Sequence, residues 1–200
     1  MNQNKIRKHL LIIAFICGNL ILTGCERTLY MERENAITFK GNPLTLVGDP
    51  ISVGQTAPDF TAAANDLSPY QLSNDAGKIV VLSSVPSLDT PVCDTETRKF
   101  NELAGSLGED VRFVTISMDL PFAQARWCGA AGVKQVKTVS DYKSIDFGSK
   151  YGLLIKELHL LARAVVVVDR QGVVQYVQLV PEVTEEPNYD AVVEAVKKLL

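Results

Sequence analysis

Apolar and polar positions alternate between two periods along this chain. Ile79 to Val85 is a mostly apolar, β-rich run, and a loop punctuated by Pro86 and Pro91 follows it. Beyond the loop, Cys93, Thr97, Phe100, Leu103 and Leu107 recur every three or four residues, which predicts a helix with those side chains on its inward face. Val111 to Met118 returns to the β pattern, so a strand, a helix and a strand form a parallel, right-handed unit. Cys93 then sits where strand hands over to helix. Proline at 91 suits the approach to a helix, and Asp94 and Glu96 suit a first turn whose dipole favours acids. Unpaired backbone N–H groups at such an end stabilise an anion, so this is a place to hold a thiolate.

The remaining elements follow from the same reading. Ile37–Lys40 and Leu44–Val47 alternate around Gly41-Asn42, a β-hairpin signal. Phe60–Ala63 and Tyr70–Leu72 read as short strands around a turn at Asn65-Asp66. Pro121–Gly129 reads as a helix opened by proline and closed by glycine, Val136–Val139 as a short strand, and Ser144–Tyr151 as a short helix stopped by Gly152. Ala164–Val168 is a valine run of the kind covered on both faces of a sheet, and Val173–Val180 returns beside it after the Arg170-Gln171-Gly172 turn. Tyr189, Val192, Val193, Val196, Leu199 and Leu200 line one face of a terminal helix. The order β-α-β-α-β-β-α, with an extra N-terminal β-hairpin, is that of a thioredoxin-like α/β fold: a central mixed sheet flanked by helices.

The front of the chain has another pattern. Lys5, Arg7 and Lys8 precede the apolar run Leu10–Leu22, which is short for a bilayer span and reads as a secretory signal. Leu22-Thr23-Gly24-Cys25 resembles a bacterial lipobox, in which the cysteine sulfur is acylated and becomes the new N-terminus. The expected division is a lipoprotein signal peptide at 1–24, a polar tether at 25–35 and one folded domain at 36–200. The chain would then be anchored to a bacterial membrane through Cys25 on the exported side, because more than one acyl chain holds a protein stably. A start at Met31 would instead leave it cytoplasmic.

Composition narrows the chemistry. An apolar fraction of 46% suffices for a core. The formal charge of −3 falls to −6 (17 basic against 23 acidic residues) once the front segment leaves, which argues against nucleic acid as a partner. The cysteines are Cys17, Cys25, Cys93 and Cys128, with no C-x-x-C pair, and His9 and His159 are the sole histidines, so neither a metal site nor another cofactor is expected. Cys17 lies in the segment to be removed. Spacing alone leaves Cys93 and Cys128 open to two readings, a static disulfide of an exported protein or a reactive pair.

Four sequence words bear on that choice. Pro86-x-x-x-Thr90-x-x-Cys93 resembles the active-site signature of peroxiredoxins. Ala36–Leu46, Asp89–Asp94, Asp119–Gln124 and Leu161–Val165 resemble the thiol peroxidase subfamily, with a likeness running from Ala36 to the end. The resemblance implies a thiol-dependent peroxidase of the atypical two-cysteine kind, a homodimer, and reduction by thioredoxin or a thioredoxin-like dithiol. Cys93 would be the peroxidatic nucleophile and Cys128 the resolving thiol that closes an internal disulfide. Arg163 would pair with the thiolate and donate to a peroxide oxygen, since the strand it opens runs antiparallel to the strand before Cys93 in this fold. Thr90 would donate to sulfur or accept from the peroxide, and Pro86 would restrict and shield the loop.

The chain departs from the subfamily in its lipobox, because most members are cytosolic and begin near Met31, and in Trp127, where phenylalanine is expected. His159 reads as a loop or packing residue, Trp127 as a packing or interface residue, and Glu182–Glu186 as a solvated loop. A redox sensor or partner-binding scaffold on the same fold is the alternative function.

Overall fold

The structure, a computed structural model, describes residues 31–200. The stretches read as signal peptide and lipobox, Cys25 among them, and the first part of that read as tether lie outside the described residues.

Two sheets carry the chain. The larger has the order β11-β10-β5-β6-β7-β3-β4, built from β3 (Thr61–Ala64), β4 (Pro69–Gln71), β5 (Ile79–Ser84), β6 (Val111–Ser117), β7 (Val136–Ser140), β10 (Ala164–Val168) and β11 (Val174–Leu179). β5, β6 and β7 are parallel neighbours, whereas β10 runs antiparallel to β5 and β11 antiparallel to β10. Four helices accompany them: α1 (Pro91–Leu107), α2 (Pro121–Ala131), α3 (Asp146–Lys150) and α4 (Tyr189–Lys197). This is the thioredoxin-like fold with its mixed sheet.

The valine-rich centre explains the layering. Successive strand residues point to opposite faces, so an all-apolar strand needs cover on both sides. Ile79, Val81, Val165 and Val167 face α1 and α4, packing with Phe100, Val192 and Val196. Val80, Leu82, Val166 and Val168 face the other way, onto a cluster that includes Phe60, Phe147, Tyr151 and the front hairpin residues Ile37, Leu44 and Leu46. Burying one such side chain contributes about 1.5–3 kcal/mol, so the sheet centre is the main source of stability.

Several boundaries differ from expectation. The front hairpin, β1 (Glu32–Phe39) with β2 (Asn42–Val47), begins inside the stretch read as tether, because Glu32 and Arg33 stay in register with Val47 and Leu46 beyond a bulge. It also extends into a second, four-stranded sheet, β1-β2-β8-β9, through β8 (Leu154–Ile155) and β9 (Leu160–Leu161). Strands of two residues carry no period, which is why the pattern did not show them. His159 is exposed in their connection with φ 51°, the loop residue of its two expected readings. α2 runs past Gly129 and stops at Gly132, whose left-handed φ of 68° lets its N–H return to the Cys128 carbonyl.

Candidate active site

Cys93 is the third residue of α1, with Pro91 in the first turn and Thr90 as N-cap. Proline fits there because its missing N–H would have had no partner within the helix. The Thr90 side chain caps nothing; its hydroxyl donates to the Ser87 carbonyl at 3.0 Å. Thr90 is therefore exposed in the loop and not on the sulfur, contrary to the role expected for its hydroxyl as a donor to the thiolate. The helix start consequently keeps N–H groups directed at the Cys93 region.

The loop from β5 to α1 is pinned from below. Asp119 accepts from the Ser87 hydroxyl and from the Leu88 N–H, each at 2.7 Å, and its second oxygen also takes the Ser117 hydroxyl at 2.8 Å. Pro86 is buried within this turn, and Pro91 is exposed. Cys93 has no exposed surface and packs with Val85 and Leu88, with Trp127 closing the cluster.

Arg163 completes the site from the far strand. The antiparallel register sets Ala164 opposite Ser84, so the residue before β10 meets the end of β5, and the Ser84 hydroxyl donates to the Ala162 carbonyl at 2.7 Å to hold that junction. The guanidinium is 1% exposed, and its Nη2 lies 3.3 Å from Cys93 Sγ across a sequence separation of 70 residues. All three nitrogens are engaged, with one Nη1 N–H left over from the five. Nε and Nη2 donate to the Val183 carbonyl at 3.1 and 3.0 Å, and Nη1 pairs with Glu96. Glu96 in turn accepts the Ser83 hydroxyl at 2.7 Å. A planar fork anchored at every nitrogen is held in place beside whatever oxygen approaches the sulfur.

Burial works against the Arg163 charge, but the Glu96 carboxylate and the Cys93 sulfur together outweigh it and hold its pKa above the ordinary range. Burial likewise pushes the Glu96 carboxyl up, against the pull of Arg163 and Ser83. Both acids of the first turn read alike in the sequence, yet Glu96 is fully buried and only Asp94 meets solvent. Glu96, Ser83, Asp119 and the Val183 carbonyl were missed by sequence reasoning. The run Glu182–Glu186 is also not simply solvated. Val183 is buried, and Glu182 accepts from the Thr38 hydroxyl at 2.8 Å and from the Lys40 and Gly41 N–H groups at 3.0 Å.

Cys128 occupies a different setting. It lies on α2, half-buried, with Sγ 3.3 Å from the Thr138 hydroxyl of β7. Thr138 also bonds Asn65, and the cleft beside them is lined by Asp66, Ser68 and Lys137. Both Cys93 and Cys128 are free thiols. Trp127, the residue before Cys128, faces Cys93; Cys128 faces β7. Among the described residues, no group of three or more histidine, cysteine or acidic side chains could hold a metal ion.

Comparison with known proteins places this arrangement. The family model described as Redoxin matches residues 52–193. The chain is 53% identical to a thiol peroxidase of Halalkalibacterium halodurans over 165 residues, covering 82% of this chain and 99% of that protein. It is equally 53% identical to the thiol peroxidase of Bacillus subtilis over 164 residues, 82% of this chain and 98% of that one. Among solved structures, a peroxiredoxin-like protein from Aquifex aeolicus superposes with a TM-score of 0.78 at 47% identity, covering 83% of this chain and 98% of its own. A thiol peroxidase from Chromobacterium violaceum shares the fold at 18% identity, with a TM-score of 0.74, covering 81% of this chain and 95% of its own.

Proposed function

Given that the chain belongs to the thiol peroxidase family of redoxins and is a thiol-dependent peroxidase, we propose that Cys93 is its peroxidatic nucleophile and Arg163 the cation that pairs with its sulfur. The observation that carries this reading is the 3.3 Å approach of Arg163 Nη2 to Cys93 Sγ at an uncapped helix start. The thiolate attacks the nearer oxygen of hydrogen peroxide or an organic hydroperoxide in line with the O–O bond. That bond breaks, Cys93 becomes a sulfenic acid, and the departing oxygen leaves as water or an alcohol after taking a proton. The Arg163 fork and the first-turn N–H groups face the charge that develops on oxygen. Exclusion of water from the sulfur strengthens each of these contacts.

Cys128 then supplies the second thiol. Its sulfur condenses with the sulfenic acid, water is lost, and an internal disulfide forms. A thioredoxin-type dithiol reopens it. The protein works as a homodimer, tethered to a membrane through acylated Cys25. The lipobox supports the anchor, and mass spectrometry of the native N-terminus tests it: an unmodified Met31 would return the protein to the cytoplasm. A sensor or scaffold role is not favoured, since the relatives matched over most of the chain are named as peroxidases.

The deciding experiment is peroxide consumption by the purified protein with a dithiol donor. Cys93→Ser abolishes turnover, and Cys128→Ser stalls at the sulfenic acid. Retained turnover in Cys93→Ser would overturn the assignment.

A further inference from the structure

Disulfide closure requires a rearrangement that the structure makes specific. A disulfide needs Cα atoms within about 7 Å and side chains that point together. Here Cys128 points to Thr138, while Trp127 packs on the cluster that holds Cys93. The α2 backbone must turn for Cys128 to replace Trp127.

Three contacts between the helices oppose that turn, and a fourth within α1 braces them. The Trp127 indole N–H donates to Asp94 Oδ1 at 3.0 Å, immediately after Cys93 in α1. Arg98 Nε donates to the other Asp94 oxygen at 2.9 Å. Arg98 Nη1 reaches the Ala131 carbonyl at the end of α2, at 2.8 Å. The same guanidinium lies 5.8 Å from the centre of the Trp127 ring, within range of a cation–π attraction. Asp94 and Arg98 are one helical turn apart on α1, so they grip α2 along one line. A phenyl ring at 127 would fill the same apolar space but could donate nothing to Asp94.

We infer that Trp127, Asp94 and Arg98 form a clamp that holds the Cys128 helix onto the Cys93 helix, and that its release limits the rate of disulfide formation. The three act as positioning residues for the resolving step, and the inference rests on reading Cys128 as the resolving thiol. While the clamp is closed, the Cys93 sulfenic acid waits. A second peroxide molecule can then oxidise it to the sulfinic acid, transferring one oxygen and leaving as water or alcohol, and the enzyme is lost to the dithiol cycle. The clamp therefore sets the peroxide dose at which the enzyme inactivates itself.

The test follows the fully reduced protein after one equivalent of hydrogen peroxide, with acid quenching and intact-mass measurement. Sulfenic acid appears as a gain of one oxygen and disulfide as a loss of two hydrogens. In Trp127→Phe and in Arg98→Ala, disulfide formation accelerates by about tenfold, the loss expected for one hydrogen bond to a charged group. In Arg98→Ala the preceding oxidation of Cys93 keeps its rate, and both variants accumulate less sulfinic acid in excess peroxide. Leu46→Ala, in the front hairpin, lowers overall stability but leaves the disulfide step alone. Wild-type disulfide rates in both clamp variants, or equal acceleration in Leu46→Ala, overturn the clamp. A wild-type protein that forms no Cys93–Cys128 disulfide and behaves like Cys128→Ser overturns the resolving role itself, and the clamp with it.

Discussion

Arg163 shows how much one side chain can be asked to do. Its fork is divided among a sulfur, a carboxylate and a backbone carbonyl, all buried. Lysine would keep a charge but cannot serve three fixed directions from one ammonium. Arg163→Met is expected to slow Cys93 oxidation by roughly two orders of magnitude, the scale for losing a pre-organised donor, as read by single-turnover peroxide kinetics. Glu96 acts on the arginine and not on the substrate. Removing one partner of a buried ion pair costs about 3 kcal/mol, so Glu96→Gln should lower the urea midpoint by a corresponding amount as well as loosening the fork. Of these residues, Cys93 and Arg163 were legible because the Pro-Thr-Cys word and the Leu161–Val165 word carry a resemblance. Glu96 was not, since an acid in a first turn reads as a dipole partner until the fold buries it.

At the level of elements, the front hairpin docks on the body through two glycines. Gly48 has φ 99° and would place a Cβ against the Ser149 carbonyl; Gly152 has φ 63° and would place one against the Asp49 carbonyl. Arg33 ties the same junction by donating to the Gly48 and Gly152 carbonyls. Gly152→Ala must therefore bear both backbone strain and a clash with main chain, and should lose more than about 2 kcal/mol of stability. Gly172 in the β10–β11 turn has φ 79° but open space around it, so Gly172→Ala should lose only about 1 kcal/mol. Paired thermal unfolding of the two variants checks the difference. The hairpin itself was legible from alternation around Gly41-Asn42. Its partners β8 and β9 were not, because a two-residue strand exists only through what it pairs with.

For the whole molecule, pH reports on packing far from the sulfur. Asp141, beyond the end of β7, is pushed up to about 6 by burial, although the Gly148 and Phe147 N–H groups that it accepts pull the other way. Its ordinary value is 3.8. Between these values the folded chain binds a proton that the unfolded chain does not. The Asp141 contribution to stability should accordingly rise as pH falls from about 6 towards 4, by at most about 1.4 kcal/mol per pH unit, and that gain is lost as pH climbs through 6. Urea midpoints across this window check it, and Asp141→Asn should flatten the dependence.

The chain's order of runs and turns determined by itself the fold class, the central strands and the helix that begins beside Cys93, while the pairing of a nucleophile word with an arginine word came through resemblance. Those are local facts, written in period and in residue type. Tertiary structure alone decided where Glu96 and Val183 would go, that Thr90 would turn to Ser87, and that Trp127 rather than Cys128 would pack on the cluster that holds Cys93. Each of these depends on which faces meet after the sheet closes, and partners 67 or 20 residues away leave no mark on the spacing around a side chain.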